Sequence, residues 1–278
     1  MIHPNRIILF VSACFVACIS SHAEERVIEG MHYRSSDAEL PREDYRYTQC
    51  QLDLYLPDAE PGFPTLIYFH GGGLVGGKRH FPDLKNKGIA LVAVGYRLSP
   101  KADCPAFLED AAAATAWTLD HIEGFGGDPA KVFISGHSAG GYLSAMVGMD
   151  PRWLAPFGHV PNDLAGLIPV SGQVSTHFTV KKLRGDTQSQ YRVVVDEYAP
   201  LTYASADLPP ICLIVGDREI EYKNRVEEND LLATSLRNLG HEQVEFHEMG
   251  GLNHGTVLKG AYIIIPDFIK RTVERQSP

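Results

Sequence analysis

The chain alternates between two kinds of segment. Seven short apolar runs recur along it: "LDLYL" (52–56), "TLIYFH" (65–70), "ALVAVGY" (90–96), "KVFISG" (131–136), "LAGLIPVSG" (164–172), "ICLIVG" (211–216) and "VEFHEM" (244–249). Several are β-branched, continuous and bounded by Gly or Pro, the pattern of strands buried on both faces of a parallel sheet. Between them lie helical patterns. "PAFLEDAAAATAWTLDHI" opens with Pro at its first turn and is rich in alanine. "SAGGYLSAMVGM" follows the fourth run directly, and "NRVEENDLLATSLRNLG" ends on Gly240, a good helix C-cap. Strand, helix, strand repeated in this way predicts a doubly wound, mostly parallel α/β sheet. One long irregular stretch, 173–210, exceeds a plain connection and is expected to form a small cap or pocket wall. Residues 24–48 are polar and expected to drape over the surface.

With 278 residues, 44% of them hydrophobic, the chain is long enough for one sizeable core. A net charge of −9 and the lack of a basic patch exclude nucleic acid as an expected partner. The first residues read as an export signal. Arg6 is the only charge before the apolar run 7–19, and Ser21 and Ala23 occupy the small-residue positions for cleavage after Ala23. The run is too short to span a bilayer, so the mature chain, 24–278, is expected to carry no integral membrane span. Cys14 and Cys18 each follow alanine, and "FVAC" is an imperfect lipid-attachment box, so a lipid-anchored form is the minority reading. Beyond the leader remain Cys50, Cys104 and Cys212. A Cys50–Cys104 disulfide competes with three buried thiols, and the thiols are slightly preferred. "HEQVEFH" (241–247) has the wrong spacing for a zinc helix and alternates like a strand, so no metal is expected. The sequence assigns no oligomeric state.

Two glycine-rich stretches carry chemistry. In "YFHGGGLVGGKRH", Gly72, Gly77 and Lys78 fit most of a phosphate-binding loop, but Arg79 stands where a Ser or Thr should ligate magnesium. The alternative is an HGGG loop whose backbone N–H groups bind an oxyanion. That alternative demands a nucleophile, and "VFISGHSAGGYLSAM" supplies one. Gly136-His137-Ser138-Ala139-Gly140 is G-x-S-x-G between an apolar strand and a helix, the context in which a strained turn exposes a serine hydroxyl. A serine nucleophile needs a base. Of the histidines after the cap segment, His241 follows a helix end and His247 lies within a strand run. His254 sits in the loop "GGLNHGT" just past the last strand, and takes the base role. His70 and His137 flank the site and are read as structural. The acid should follow "ICLIVG". In "VGDREIEY" residue type favours Asp217, with Glu219 competing and Glu221 a weaker third choice.

With "LDLYLP", "YFHGGGLVGG", "GYRLSP", "GGDPAKVFISGHSAGG" and "GGLNHG" in this order, the chain resembles an α/β-hydrolase fold serine esterase over almost all of its mature length. The resemblance is to the hormone-sensitive lipase-like bacterial carboxylesterases and to the BD-FAE and kynurenine formamidase-like group, whose elbow reads GHSAGG. It implies a G-x-x-D acid three residues past Gly216, which selects Glu219 over Asp217. It also implies oxyanion donors at Gly72, Gly73 and Ala139. The expected function is a secreted serine carboxylesterase acting on a small-molecule ester through an acyl-enzyme, with no cofactor. An arylformamidase-like or other small-amide hydrolase is the alternative, and a catalytically inactive binding protein of the same fold a weaker one.

Overall fold

The computed structural model describes residues 26–276. The apolar leader and the cleavage point expected after Ala23 lie outside these residues. The elements run β1 (Arg26–His32), α1 (Ser35–Ala38), α2 (Tyr45–Gln49), β2 (Gln51–Leu56), β3 (Phe63–Phe69), β4 (Ala90–Val94), α3 (Ala106–His121), β5 (Gly127–His137), α4 (Ala139–Met149), β6 (Gly166–Val170), α5 (Phe178–Leu183), β7 (Ile211–Gly216), α6 (Arg225–Asn238), β8 (Val244–Met249) and α7 (Val257–Gln276). The strands form a single sheet in the order β1-β2-β4-β3-β5-β6-β7-β8. The β1/β2 and β2/β4 pairs are antiparallel, and every later pair is parallel.

The seven apolar runs are the strands β2 to β8, and the three helical patterns are α3, α4 and α6. Consecutive strand residues point to opposite faces, and each face has its own helices. Ile67, Val92, Ile134 and Leu213 pack with side chains of α3, α4 and α6. Their neighbours Leu66, Leu91, Phe133, Cys212 and Ile214 pack with Val257, Ala261, Ile265 and Phe268 of α7. This two-sided burial is why the central runs are apolar without alternation.

Two expectations are corrected. Of the stretch 24–48, the described residues 26–48 are not only a surface drape, because β1 adds an edge strand and α1 and α2 follow it. An edge strand has one neighbour and one exposed side, so "RVIEGMH" needs no continuous apolar run. Its register slips between Ile28 and Met31, where the Gly30 N–H leaves the ladder and donates to Asp53 Oδ1 at 2.8 Å. Helix α7 was not among the expected elements, and Pro266 inside it obscures its pattern. As the sequence slightly preferred, the Cys50–Cys104 disulfide is absent. Cys50, Cys104 and Cys212 are free thiols, with Cys104 only half-buried. Cys50 lies under Asp110, a fully buried carboxylate that accepts from Arg34 Nη1 at 2.6 Å and from Arg97 Nε and Nη2 at 2.8 and 2.7 Å. That cluster fastens the N-terminal segment to the end of β4 and to α3.

The segment after β6 carries α5 and a 3-10 turn at Pro200–Tyr203. It is fastened at both edges. Thr179 Oγ1 donates to the Gly73 carbonyl at 2.5 Å, and Glu228 of α6 accepts from the Val174 and Ser175 N–H groups. The segment therefore lies beside the C-terminal ends of the parallel strands, where open α/β sheets hold their ligands.

Candidate active site

Ser138 sits between the last residue of β5 and the first of α4, with φ 58° and ψ −114°. A non-glycine residue there is strained by on the order of 1–3 kcal/mol, and must be held by its surroundings. The holding contacts are backbone contacts. The Ser138 N–H donates to the Val170 carbonyl at 2.8 Å. A Cβ on Gly140 would lie 1.9 Å from the Phe69 carbonyl oxygen, and one on Gly136 would lie 2.5 Å from Gly140. The two glycines of the motif are therefore required by close approach of three chain segments.

Ser138 Oγ lies 2.9 Å from His254 Nε2, and His254 Nδ1 lies 2.6 Å from Glu221 Oε1. The geometry fixes the roles of the ring: Nδ1–H donates to the carboxylate, and Nε2 accepts from the serine hydroxyl. The structure brings together Ser138 and His254, the pair expected from the sequence, and places beside His254 the carboxylate that the sequence ranked third. The carboxylate on His254 is Glu221, not Glu219 or Asp217. The reason is a tight turn after β7, in which the N–H groups of Ile220 and Glu221 both donate to the Asp217 carbonyl. The turn carries Glu219 outward into solvent and rewinds the chain so that Glu221 points back under the sheet end. Asp217 has another task. Its carboxylate accepts from the Gly251 and Glu219 N–H groups at 2.6 and 2.9 Å, joining the β7 turn to the loop that carries His254.

Glu221's side chain is fully buried, and it is well satisfied. Its Oε2 accepts from Ser171 Oγ and from the Gly216 N–H, each at 2.8 Å, and its Oε1 accepts from the Tyr222 N–H at 2.7 Å. Burial works to raise its pKa. The bonds from His254, the Tyr222 N–H and Ser171 outweigh burial and hold it at about 2. Gly216 makes room, since a Cβ there would lie 2.5 Å from Glu221 Oε2. The glycine that anchored the spacing argument thus makes room for Glu221, two positions beyond the expected Glu219.

The glycine loop after β3 lies against the elbow. A Cβ on Gly71 would lie 3.5 Å from Ser138 Cβ and 3.1 Å from the His137 carbonyl oxygen. Gly72 and Gly73 have φ 115° and 63°, a left-handed path open to glycine, and no helix follows Lys78. The phosphate-loop reading therefore fails in structure as in sequence. Ala139 is the first residue of α4, where an N–H has no partner within the helix. The flanking histidines are structural supports. His70 stacks on Tyr96 with centroids 4.3 Å apart and bonds the Gly71 carbonyl through Nδ1 at 2.6 Å. His137 Nε2 donates to the His254 carbonyl at 2.7 Å, pinning the backbone of the imidazole it faces.

One cavity borders this centre, and a second lies beyond the glycine loop. One of about 460 Å³ is walled by His254, Glu221, Tyr222 and Ile220. A larger one, about 770 Å³, lies between Val75 of the glycine loop and Phe178 and Leu183 of α5. Phe178 overhangs the loop, 3.3 Å from where a Gly73 Cβ would be. Away from the site, Cys212, Glu245 and His247 bring ligand-type atoms within 4.8 Å of one another. Both oxygens of Glu245 are taken by Arg271, at 2.5 and 3.0 Å, so the cluster is an ion pair beside a thiol buried in the core.

Comparison with known proteins agrees with this fold. A sequence profile of the alpha/beta hydrolase fold matches residues 66–258. Esterase LipC of Mycobacterium tuberculosis is 27% identical over 222 residues, covering 71% of this chain and 54% of that protein. The chain spans about half the length of the first curated relatives it matches. Among solved structures, a truncated carbohydrate esterase from gut microbiota superposes with a TM-score of 0.73 at 17% identity, over 91% of this chain and 98% of that one. Esterase B from Lactobacillus rhamnosis gives 0.71 at 20% identity, over 92% and 88%. These two likenesses concern the fold.

The buried histidines set a pH dependence of stability. Burial lowers His70 and His137 to about 4, below the ordinary histidine value of about 6.5. Between those values the unfolded chain binds more protons than the folded one, so stability rises with pH. Acidification from pH 6.5 to 4 should therefore destabilise the protein, with His70 contributing on the order of 3 kcal/mol. Glu221 adds only at the acidic end of that window, because its depressed pKa withdraws stability as pH falls through the ordinary value of 4.5 toward about 2. Chemical denaturation across this range should show the decline, and His70→Gln should flatten it. An unchanged slope in that variant would contradict the assignment.

Proposed function

Because the chain belongs to the alpha/beta hydrolase fold family, we propose that it is a serine carboxylesterase that hydrolyses small carboxylic esters through an acyl-enzyme. The observation that carries this reading is the unbroken line from Ser138 Oγ through His254 to Glu221, at 2.9 and 2.6 Å. Ser138 attacks the ester carbonyl while His254 takes its proton. Glu221 orients the imidazole and stabilises its charged form. The N–H groups of Gly72, Gly73 and Ala139 receive the oxyanion of the tetrahedral intermediate. His254 then protonates the leaving alcohol, and returns as base to activate the water that releases the acid. The segment 173–210 acts as the cap, with Phe178 and Val75 shaping the cavity that receives part of the ester. Nothing in these steps calls for a cofactor.

Turnover of p-nitrophenyl acetate tests the assignment. Ser138→Ala should lower kcat by roughly 10⁴ or more, and Glu221→Gln should cost a comparable factor, since the amide cannot stabilise the imidazolium. Glu219→Gln should change little, because that side chain is solvated. Asp217→Asn should cost less than Glu221→Gln, through a looser histidine loop. All variants need matched thermal unfolding. A larger loss at Glu219 than at Glu221 would defeat the acid assignment. We also infer export, supported by the Arg6, 7–19 and Ser21/Ala23 pattern. N-terminal sequencing of exported protein should then begin at Glu24, whereas a start at lipidated Cys18 or at Met1 would contradict cleavage after Ala23.

A further inference from the structure

One buried cation has no work in the reaction just described. Arg225 opens α6 and is only 3% exposed. A guanidinium carries five N–H donors, and a buried one is normally paired tightly. Arg97, for example, reaches Asp110 at 2.7 and 2.8 Å. Arg225 has no such partner. Its Nη2 lies 3.5 Å from Gln173 Oε1, at the limit of a hydrogen bond, and its Nη1 lies 3.9 Å from Glu228 Oε2. Its Nε is buried without any partner. Glu228 is not free to close the gap, because that same oxygen accepts from the Val174 and Ser175 N–H groups.

The unmet donors border the proposed active site. Arg225 lines a small cavity, about 20 Å³, with Gln173, Phe178, Tyr222, Lys223 and Glu228. That volume admits one water or one carboxylate oxygen. The guanidinium carbon lies 5.8 Å from the Tyr222 ring, and the Tyr222 ring lies 5.5 Å from the His254 ring. Arg225 is therefore one aromatic side chain behind the imidazole. A second buried donor is close by in charge: the Arg225 cation acts on His177, which is held neutral chiefly by burial. His177 accepts from the Thr179 N–H at Nδ1, so its proton is on Nε2, and that atom also lacks a partner. Donors without acceptors, beside a polar niche at the N-terminus of a 14-residue helix, call for an anion.

We propose that Arg225, beside Gln173, forms a subsite for an anionic group on the substrate, so that the enzyme favours esters that also bear a carboxylate. This rests on the serine esterase reading and narrows its substrate class. A carboxylate oxygen enters the niche past Tyr222, and the planar fork of Arg225 holds it. Glu228 remains on its backbone donors. The contact is made in the ground state and the transition state alike, so it should appear mainly in KM.

The test compares each acid with its neutral amide in one enzyme. 4-Acetoxybenzoate carries the carboxylate on the leaving group, and mono-4-nitrophenyl adipate carries it on the acyl side. The wild-type enzyme should turn over at least one of these with kcat/KM tenfold or more above the matching amide, through a lower KM. Arg225→Met should erase that ratio, and Arg225→Lys, which keeps the charge but not the fork, should reduce it. Should Arg225→Met fail to fold, the lysine variant and the wild-type ratio decide. Lys223→Met serves as the surface-charge control and should leave most of the preference. Acid and amide turned over equally by wild-type enzyme, or a preference that follows Lys223 and not Arg225, would overturn the proposal. Loss of p-nitrophenyl acetate turnover in Ser138→Ala is a separate readout, so an esterase without acid preference refutes the subsite alone.

Discussion

Ser138 can hold φ 58° only because three strand ends crowd around it. The Phe69 carbonyl at the end of β3 comes within contact of Gly140, and the Val170 carbonyl at the end of β6 accepts the Ser138 N–H. The same lacing continues across the sheet. The Ser171 N–H donates to the Ile214 carbonyl, and the Asp217 N–H to the Leu252 carbonyl. Strands β5, β6 and β7 are thus each followed by one further bond to the neighbouring segment just where the chain leaves the sheet. Ser138, Glu221 and His254 come from the turns after β5, β7 and β8, and this ladder sets their mutual spacing. A parallel register of neighbouring strands is what turns three distant pieces of sequence into one hydrogen-bonded line.

The polar groups behind that line are satisfied to different degrees. Glu221 has a bond for every direction, from Ser171, Gly216, Tyr222 and His254, and so remains ionised though buried. His137 and His70 give up their charge to burial and act as rigid neutral struts. Arg225 keeps its Nε unpaired and its Nη groups only loosely held beside the same centre. In a site of low polarity, an unmet donor is costly, which is why its position next to Tyr222 bears on specificity.

Much of the fold was legible because burial on both faces writes itself into composition. "ICLIVG" and "KVFISG" can be little else than central strands, and they are β7 and part of β5. The edge strand β1 escaped because one open side relaxes that demand, and α7 escaped behind Pro266. Ser138 was legible through two glycines forced by close approach, and His254 through its loop after the last strand. Glu221 was not. Counting from Gly216 assumes an extended exit from the strand, whereas the Asp217–Glu221 turn shortens the path and reverses the direction of the side chain. Three acidic residues within five positions give no pattern from which such a turn could be read. The longer side chain of glutamate then lets Glu221 reach the imidazole from the far side of the turn.

The central claim is that Ser138 is the nucleophile of a covalent route. Reaction with an organofluorophosphonate followed by peptide mass spectrometry tests it without relying on any variant. The account predicts one phosphonyl group per chain, on Ser138, appearing in step with the loss of p-nitrophenyl acetate turnover. Full modification of Ser138 with turnover intact, or loss of turnover with the adduct on another residue, would contradict it.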